Sequence, residues 1–287
     1  MSADQNHNVL CFGEVLWDCL PHGRFAGGAP LNVAYHLNKL GVRSWPISCV
    51  GADTSGDDLL LQLMALGLPI DLVNTRTDKA TGVVYVMLDD GMPSYTIVDD
   101  VAWDCIDLDE RLLSDCEPVS AIVFGTLAQR HEHNQTSLTQ LFERAPDALK
   151  VLDVNLRPPF DTAELVWELA DRADIVKLNR EEATELTKDC GATDVEQCAR
   201  TISVRSNCDT VCVTCGAAGA GMLTRETWHW VDAQPVVVRD TIGAGDAFLA
   251  ALVNGLLTAP SHPNQILAKA SRLAGFVASC ESATPNY

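Results

Sequence analysis

The sequence predicts an α/β fold, a three-layer α/β/α sandwich in which helices cover both faces of a mostly parallel central sheet. Continuous apolar runs, short enough to be buried strands, alternate along the chain with longer segments of helical periodicity. The chain has 287 residues, of which 47% are hydrophobic. This is enough for one large globular domain over residues 1–287. Ligands of such folds gather at the carboxyl ends of the strands.

The strands and helices follow one another in a regular order. Six apolar runs are predicted as strands: VLCFG (9–13), WPISCV (45–50), AIVFG (121–125), VLDVN (151–155), DIVKLN (174–179) and TVCVTCG (210–216). Eight segments are predicted as helices: 29–40, 56–66, 134–145, 161–172, 180–188, 194–205, 243–258 and 264–280.

One region departs from this order. From Thr81 to Asp104, apolar and polar residues alternate on either side of the turn DDGMP, which is typical of an antiparallel hairpin with one exposed face. Trp103 and Tyr95 are available for its inner face. We expect this hairpin to be a lid. The alternative is an edge hairpin that has no role at a site.

Net charge excludes two classes of partner. The chain has 39 acidic and 20 basic residues and a formal charge of −19. Such a surface repels nucleic acids and anionic membranes. No apolar run reaches the roughly 18 residues of a membrane span, and the first residues, MSADQNHNVLCF, do not resemble a signal peptide. We therefore expect a soluble, cytoplasmic protein.

The eleven cysteines do not indicate a metal centre. Cys212 and Cys215 form a C-x-x-C, but they lie in a strand pattern, where positions three apart point to opposite faces. His131 and His133 have no second ligand cluster nearby in the sequence. Reduced thiols are the expected state of the cysteines.

The stretch DTIGAGDAF (240–248) precedes a long apolar helix and indicates a site for an anion. Gly243 and Gly245 leave the backbone free to direct several N–H groups at one point, and the helix dipole adds to their positive potential. Asp246 lies beside this point as a carboxylate that can accept a proton. It is suited to act as the base of a phosphoryl transfer, in which the attacking hydroxyl becomes acidic as it bonds to phosphorus. The alternative role for Asp246 is a helix cap.

Two longer stretches resemble the signatures of the ribokinase-like (PfkB-type) carbohydrate kinases: GGAPLNVAYHLNKLG (27–41) and DTIGAGDAFLAALV (240–253). Other resemblances follow in the family's order: GEVLWD (13–18), DVNLRPPF (153–160), KLNREEATEL (177–186) and VTCGAAGAG (213–221). The resemblance covers residues 9 to 283. Within the family, the lid stretch PSYTIVDDVAWDCI and the D-x-N-x-R-P-P stretch are most similar to fructokinases.

The resemblance implies roles for particular residues. Asp246 would be the catalytic base, and the amides of Gly243, Ala244 and Gly245 would form the anion hole. The implied sugar-binding residues are Asp18, Gly28, Asn32, Trp103 and Arg157, of which Arg157 would approach either the sugar or the phosphates. The implied nucleotide-binding residues are Asn179, Thr214, Gly216 and Gly219. Glu182 would hold Mg²⁺ through water.

The same resemblance implies an activity: transfer of the γ-phosphoryl group of ATP to a primary hydroxyl of a sugar, with fructose as the expected substrate. Ribose, a nucleoside such as adenosine, an aminosugar and 2-keto-3-deoxygluconate stay open as alternatives. A sugar- or nucleotide-binding protein without turnover is the alternative from another class. A dehydrogenase is disfavoured, because no G-x-G-x-x-G follows the first strand, and the chain has no P-loop sequence.

The resemblance also implies a small β lid from segments near 14–26 and 80–104, and a homodimer formed through that lid. One departure from the family lies in SCESATPNY (279–287), where Ser282 replaces the usual glycine. That loop helps to bind a monovalent cation in several relatives, so a requirement for K⁺ is left open.

Overall fold

The structure is a computed structural model that describes residues 7–20, 23–89 and 92–287, and the side chains of 86–95 lie outside the description. The described residues form thirteen strands: β1 (Asn8–Phe12), β2 (Leu16–Leu20), β3 (Gly23–Gly27), β4 (Arg43–Gly51), β5 (Val73–Arg76), β6 (Val83–Asp89), β7 (Met92–Ile97), β8 (Val119–Gly125), β9 (Leu149–Asp153), β10 (Ile175–Asn179), β11 (Thr210–Thr214), β12 (Ala220–Thr224) and β13 (Thr227–Val231). They also form nine α-helices: α1 (Ala29–Lys39), α2 (Thr54–Ala65), α3 (Glu110–Ser114), α4 (Glu132–Arg144), α5 (Ala163–Ala170), α6 (Arg180–Thr187), α7 (Val195–Ser206), α8 (Ala244–Thr258) and α9 (Pro263–Ala278).

Nine of these strands form the large sheet, in the order β13-β12-β11-β10-β9-β8-β1-β4-β5. The seven strands from β11 to β5 pair in parallel, and β12 and β13 add an antiparallel hairpin at one edge. The predicted mostly parallel sheet is therefore confirmed.

Each face of the sheet packs against its own layer of helices. Along β1, Leu10 and Phe12 belong to one buried cluster, which α4 to α7 complete, and Val9 and Cys11 belong to the cluster on the other face, with α1, α2, α8 and α9. Successive side chains of a strand point to opposite faces, so an unbroken apolar strand supplies both cores. The result is the predicted three-layer sandwich.

All six predicted strands and all eight predicted helices are present, with bounds that shift by a few residues. The sequence analysis did not predict β5, the short α3 or the β12–β13 hairpin. The turn of that hairpin places Arg225 and Glu226 in the left-handed region, at φ 46° and 68°. Such turns normally carry Asn or Gly at these positions, so this hairpin lacks the usual turn signal.

A second, smaller sheet has the strand order β3-β2-β6-β7. It comes from the two segments predicted to form the lid, and its Leu16 and Val84 pack over the buried side chains of Trp103 and Leu127. The predicted small sheet is thus confirmed. The tip of its hairpin, residues 90 and 91, and the side chain of Tyr95 lie outside the described residues, so the expected position of Tyr95 is untested.

Helix N-termini differ in how they begin. Asp53, Thr162 and Asp194 cap α2, α5 and α7 by accepting a hydrogen bond from a backbone amide three residues later. By contrast, α1 and α8 are preceded by Gly28 and Gly243, with φ of 119° and 77°, which have no side chain to cap them. Other groups accept from the first amide of each helix: the Ala29 amide donates to Glu14 Oε1, and the Ala244 amide donates to the Thr241 carbonyl.

None of the helices among the described residues combines the length and the apolar character that a membrane span requires.

Candidate active site

A cavity of about 1220 Å³ opens between the small sheet and the carboxyl ends of the central strands. Its floor includes residues at the ends of four parallel strands, namely Gly125, Asp153, Asn179 and Thr214. The N-terminal residues of α8 form part of its wall. The cavity therefore lies where a parallel α/β sheet is expected to bind ligands.

Asp246 lies in the first turn of α8 and is only 8% exposed, although it lines the cavity. One of its carboxylate oxygens accepts a hydrogen bond of 2.8 Å from the Asn32 side-chain amide of α1. Burial and the nearby Asp153 raise the pKa of Asp246 to about 6, against the hydrogen bond from Asn32 and the charges of Lys177 and Arg157. It is thus a better proton acceptor than an exposed aspartate.

The α8 N-terminus next to Asp246 is the predicted anion hole. Gly243 and Gly245 line the cavity. The amide of Ala244 donates to the carbonyl of Thr241 at 3.2 Å, so it closes a turn and is not directed at the cavity. The Ala244 amide is therefore occupied, whereas the amides of Gly243 and Gly245 stay predicted members of the anion hole, and Asp246 adds a further amide of the first turn.

Two further charged residues, which the sequence analysis did not single out, line the same cavity. Lys177 of β10 and Asp153 at the end of β9 are 6% and 3% exposed, and the Lys177 ammonium donates to Asp153 Oδ1 at 2.9 Å. Burial lowers the Lys177 pKa, but the combined effect of Asp153, Asp246 and Glu182 exceeds that of burial, so the net shift is upward. The available signal was a lysine in the centre of an otherwise apolar strand, IVKLN.

Glu182 and Asn179 form a capping box at the start of α6. Glu182 Oε2 accepts a hydrogen bond of 2.8 Å from the backbone N–H of Asn179, and its Oε1 accepts one of 3.0 Å from the backbone N–H of Leu156. Burial raises the Glu182 pKa, against these hydrogen bonds. The two amides fix the carboxylate at the cavity wall. Its free lone pairs suit a hydrated Mg²⁺, which takes oxygen ligands and keeps several waters.

The far end of the cavity carries further carboxyl groups. Asp18 of β2 is the predicted sugar ligand, and burial raises its pKa to about 6. Glu14, which the sequence analysis did not single out, is 5% exposed and accepts from the Ala29 amide at the start of α1 at 3.1 Å. Burial raises the pKa of Glu14 to about 7. The exposed Arg157 guanidinium also lines the cavity and lowers the pKa of both carboxyl groups.

Gly28 forms the backbone corner between the small sheet and α1. Its φ is 119°, and a Cβ there would collide with the carbonyl oxygen of Glu14. This position can hold only glycine. Asn32 follows one turn later, and its Oδ1 is buried without a hydrogen-bond partner. A ligand hydroxyl could satisfy this acceptor.

At the nucleotide end, Thr214 and Gly216 line the cavity together with Cys215. Gly219 does not line it. A Cβ at Gly219 would collide with the carbonyl oxygen of Val231, so glycine is required there for the close approach of β13. Gly219 thus has a packing role in the edge hairpin, and its predicted contact with the nucleotide stays a prediction.

Trp103 also lies outside the cavity lining. Its side chain is fully buried beneath the small sheet, and the Arg130 guanidinium lies 4.1 Å from its ring centroid. The predicted sugar contact of Trp103 is thus wrong for this conformation, because the indole fills the core under the lid.

Residues 279–287 close the cavity beside the anion hole. Ser282 and Ala283 line the cavity, and a Cβ on Gly243 would collide with Ala283. On the other side of this segment, the His36 ring contacts the Ala283 carbonyl at 2.9 Å and the Tyr287 hydroxyl at 3.0 Å. The segment therefore connects α1 to the turn before α8.

His131 and His133, for which the sequence predicts no metal site, contact acidic side chains. His131 lies near Asp99 and Asp104, and His133 contacts Asp107. Ligand atoms of Asp99, Asp104 and His131 lie within 4.8 Å of one another, and the Arg130 guanidinium binds both oxygens of Asp104 at 2.7 and 2.8 Å. All eleven cysteines are free thiols.

The family of pfkB carbohydrate kinases matches residues 6–287. A sugar kinase of Pyrococcus horikoshii, PH1459, is 31% identical over 238 residues, which cover 80% of this chain and 73% of the relative. A structure of PH1459 in complex with ATP, where it is described as uncharacterized, superposes with a TM-score of 0.83 at 26% identity, covering 96% of this chain and 94% of the other.

Two fructokinases are also similar to this chain. The fructokinase of Klebsiella pneumoniae is 28% identical over 284 residues, 94% of this chain and 90% of the relative. A fructokinase double mutant from Vibrio cholerae, solved with fructose, ADP and a potassium ion, has a TM-score of 0.84 at 22% identity and covers 99% of this chain and 96% of its own. The second of these supports the fold alone.

Proposed function

The chain belongs to the pfkB family of carbohydrate kinases, and from this premise we propose that it transfers the γ-phosphoryl group of ATP to a primary hydroxyl of fructose. The observation that carries the proposal is the position of Asp246. A buried carboxylate with a raised pKa stands at the N-terminus of α8, within 2.8 Å of the Asn32 amide, in the cavity at the strand ends.

In the proposed reaction, Asp246 accepts the proton of the attacking hydroxyl as the bond to phosphorus forms. The amides of Gly243, Gly245 and Asp246 and the helix dipole stabilise the negative charge of the phosphoryl group in transfer. Asn32, which already donates to Asp246, offers its unpaired Oδ1 to a sugar hydroxyl. The base and the acceptor alcohol are thereby held side by side.

Sugar recognition rests on Asp18, Gly28, Asn32 and Arg157. Asp18 and the Asn32 amide can accept and donate hydrogen bonds to a polyol, and Gly28 lets the sugar approach the backbone. The names of several relatives support fructose among the possible sugars. Ribose, an aminosugar, 2-keto-3-deoxygluconate and adenosine are the competing acceptors.

The nucleotide is proposed to lie along Asn179, Thr214 and Gly216, with Mg²⁺ held through water by Glu182. Mg²⁺ would neutralise part of the phosphate charge in this acidic protein. A requirement for K⁺ stays an open question for this chain, which the potassium ion in the Vibrio cholerae fructokinase structure makes worth testing. A homodimer formed through the small sheet and a location in the cytoplasm are also predictions for this chain.

The experiment that tests the proposal is release of ADP with ATP, Mg²⁺ and a panel of sugars and nucleosides. We expect fructose to give the highest kcat/KM and the product to be phosphorylated at a primary hydroxyl. A higher value for ribose, adenosine or 2-keto-3-deoxygluconate would replace fructose as the substrate. Tight sugar binding without ADP release from any acceptor would favour a binding protein without turnover.

A further inference from the structure

Lys177 and Asp153 form a buried ion pair in the floor of the cavity. The Lys177 Nζ lies 2.9 Å from Asp153 Oδ1, and both side chains are more than nine-tenths buried. A buried ion pair is a poor source of folding stability, because the cost of removing both charges from water is similar to the energy gained from pairing them. The position of this pair at the cavity floor is therefore better explained by a ligand.

The pair still has hydrogen-bonding capacity. Asp153 Oδ2 is buried and has no hydrogen-bond partner. The Lys177 ammonium has three donors, and the bond to Asp153 uses one of them. Buried polar groups are normally satisfied, so unused capacity in a cavity wall indicates a polar ligand or its water.

Lys177 also approaches the anion hole closely. A Cβ built on Gly245 would lie 3.2 Å from the Lys177 Nζ. A side chain at position 245 would crowd the Lys177 ammonium. Glycine at this position therefore allows the ammonium to approach the first turn of α8. The positive charge of Lys177 and the positive end of the α8 dipole thus act on the same small volume.

We propose that Lys177, positioned by Asp153, completes the anion hole as a cationic donor to the phosphoryl group in transfer. The inference rests on the proposed kinase function and adds a catalytic residue and its positioning residue to it. Asp153 holds the ammonium through one oxygen, so the remaining donors of Lys177 face the phosphoryl oxygens. A charge-assisted hydrogen bond of this kind is stronger than one from a neutral amide.

The pair also acts on the base. Asp246 is faced by Asp153 from β9, Lys177 from β10 and Arg157 from the loop after β9, and Glu14 lies close enough to interact with it. Asp153 raises the pKa of Asp246, and Lys177 lowers it. Removal of Lys177 should therefore raise the pKa of the base, and removal of Asp153 should lower it.

The first test is nucleotide binding without sugar, measured by calorimetry with ATP and ADP in the presence of Mg²⁺. Lys177→Met should weaken ATP binding about tenfold or more and leave ADP binding nearly unchanged, because ADP lacks the γ-phosphoryl group. Lys188→Met is the matched control, since Lys188 pairs with Glu185 at the surface. This readout does not depend on which sugar is the substrate. An unchanged ratio of ATP to ADP affinity would overturn the inference.

The second test is turnover with the best acceptor sugar. Lys177→Met should lower kcat by about 10²-fold or more, as loss of one oxyanion-hole donor does. The acid limb of the kcat/KM profile should move to higher pH in Lys177→Met and to lower pH in Asp153→Asn. Two results would contradict the inference. One is a kcat of Lys177→Met that is less than about threefold lower than that of wild type, and the other is a shift of the acid limb in the same direction in Lys177→Met and Asp153→Asn.

If Lys177→Met fails to fold because Asp153 is left without a counter-charge, the double variant Lys177→Met with Asp153→Asn removes both charges together. It should fold and still lose the preference for ATP. Retention of that preference would count against Lys177. If no sugar of the panel is phosphorylated, but wild type prefers ATP to ADP and Lys177→Met loses this preference, fructose phosphorylation is rejected and the role of Lys177 is still supported.

Discussion

At the residue scale, the cavity holds several carboxyl groups whose pKa values are displaced in the same direction. Burial raises the pKa of Asp246 and Asp18 to about 6 and that of Glu14 to about 7. Arg157 opposes the shift at all three positions. Arg157 thus limits the effect of burial without cancelling it: Asp246 and Asp18 are mostly ionised at pH 7, whereas Glu14 is about half protonated.

This arrangement predicts the pH dependence of the reaction. Because Asp246 must be ionised to accept a proton, kcat/KM should fall below pH about 6 and lose about tenfold per pH unit. A steady-state profile from pH 4.5 to 8.5 measures the limb. Asp18→Asn is the control, because Asp18 also has a pKa of about 6: this variant should lower kcat/KM at every pH through a higher KM and keep the acid limb that Asp246 causes. A rate that stays constant down to pH 5 would show that the base has the pKa of an ordinary aspartate.

At the element scale, α1 connects the catalytic site to residues 283–287. His36 lies one turn after Asn32 and is fully buried. The Ala283 carbonyl can only accept, so His36 Nε2 carries the proton and Nδ1 accepts from the Tyr287 hydroxyl. Burial lowers the His36 pKa to about 4, against the hydrogen bond to Ala283. This bridge is built for a neutral imidazole.

The bridge predicts a loss of stability in acid. Because the His36 pKa is lower in the folded chain than in the unfolded chain, the unfolded state binds more protons between pH about 6.5 and 4, and stability falls as the pH drops through that range. The His36 contribution should be smaller at pH 5 than at pH 7 by about 2 kcal/mol.

Chemical unfolding at the two pH values measures this difference in wild type and in His36→Gln, whose pH dependence should be weaker by that amount. The matched control is His262→Gln, because His262 is an exposed histidine at the start of α9. It should keep the wild-type pH dependence. An equal pH dependence in wild type and His36→Gln would contradict the assignment of His36 as a buried neutral bridge.

The elements also show what the sequence could predict. The buried strands and the helices that cover them were predicted because apolar periodicity is set by burial. Lys177 and Asp153 were missed, since a charged residue in an apolar strand does not reveal which partner neutralises it across the sheet. Trp103 was misplaced because alternation along the hairpin identifies a buried face but not whether ligand or core covers it.

At the scale of the whole molecule, the small sheet covers one side of the cavity and is connected to the large sheet by residues 13–15 and 77–82, and to α1 by Gly28. Its inner residues include Asp18, a proposed sugar ligand. A sugar that binds Asp18 on the small sheet and Asn32 on α1 at once would join the two parts. Closure would then exclude water and limit wasteful hydrolysis of ATP.

Closure predicts slower amide hydrogen exchange in the small sheet when sugar binds. We expect protection of residues 16–20 and 83–89 with fructose and a non-hydrolysable ATP analogue, and no change in the buried strand at residues 149–153. Asp18→Asn should reduce the protection, because the sugar loses its ligand on the small sheet. Equal exchange with and without the sugar would argue against a lid.

The most direct test of the central claim is the turnover of Asp246→Asn with the acceptor sugar bound. Because asparagine cannot accept the proton, kcat should fall by at least about 10²-fold while the sugar still binds, and the exposed control Asp232→Asn should retain wild-type kcat. Near-normal kcat in Asp246→Asn would show that the residue only begins a helix, and the proposed mechanism would be wrong.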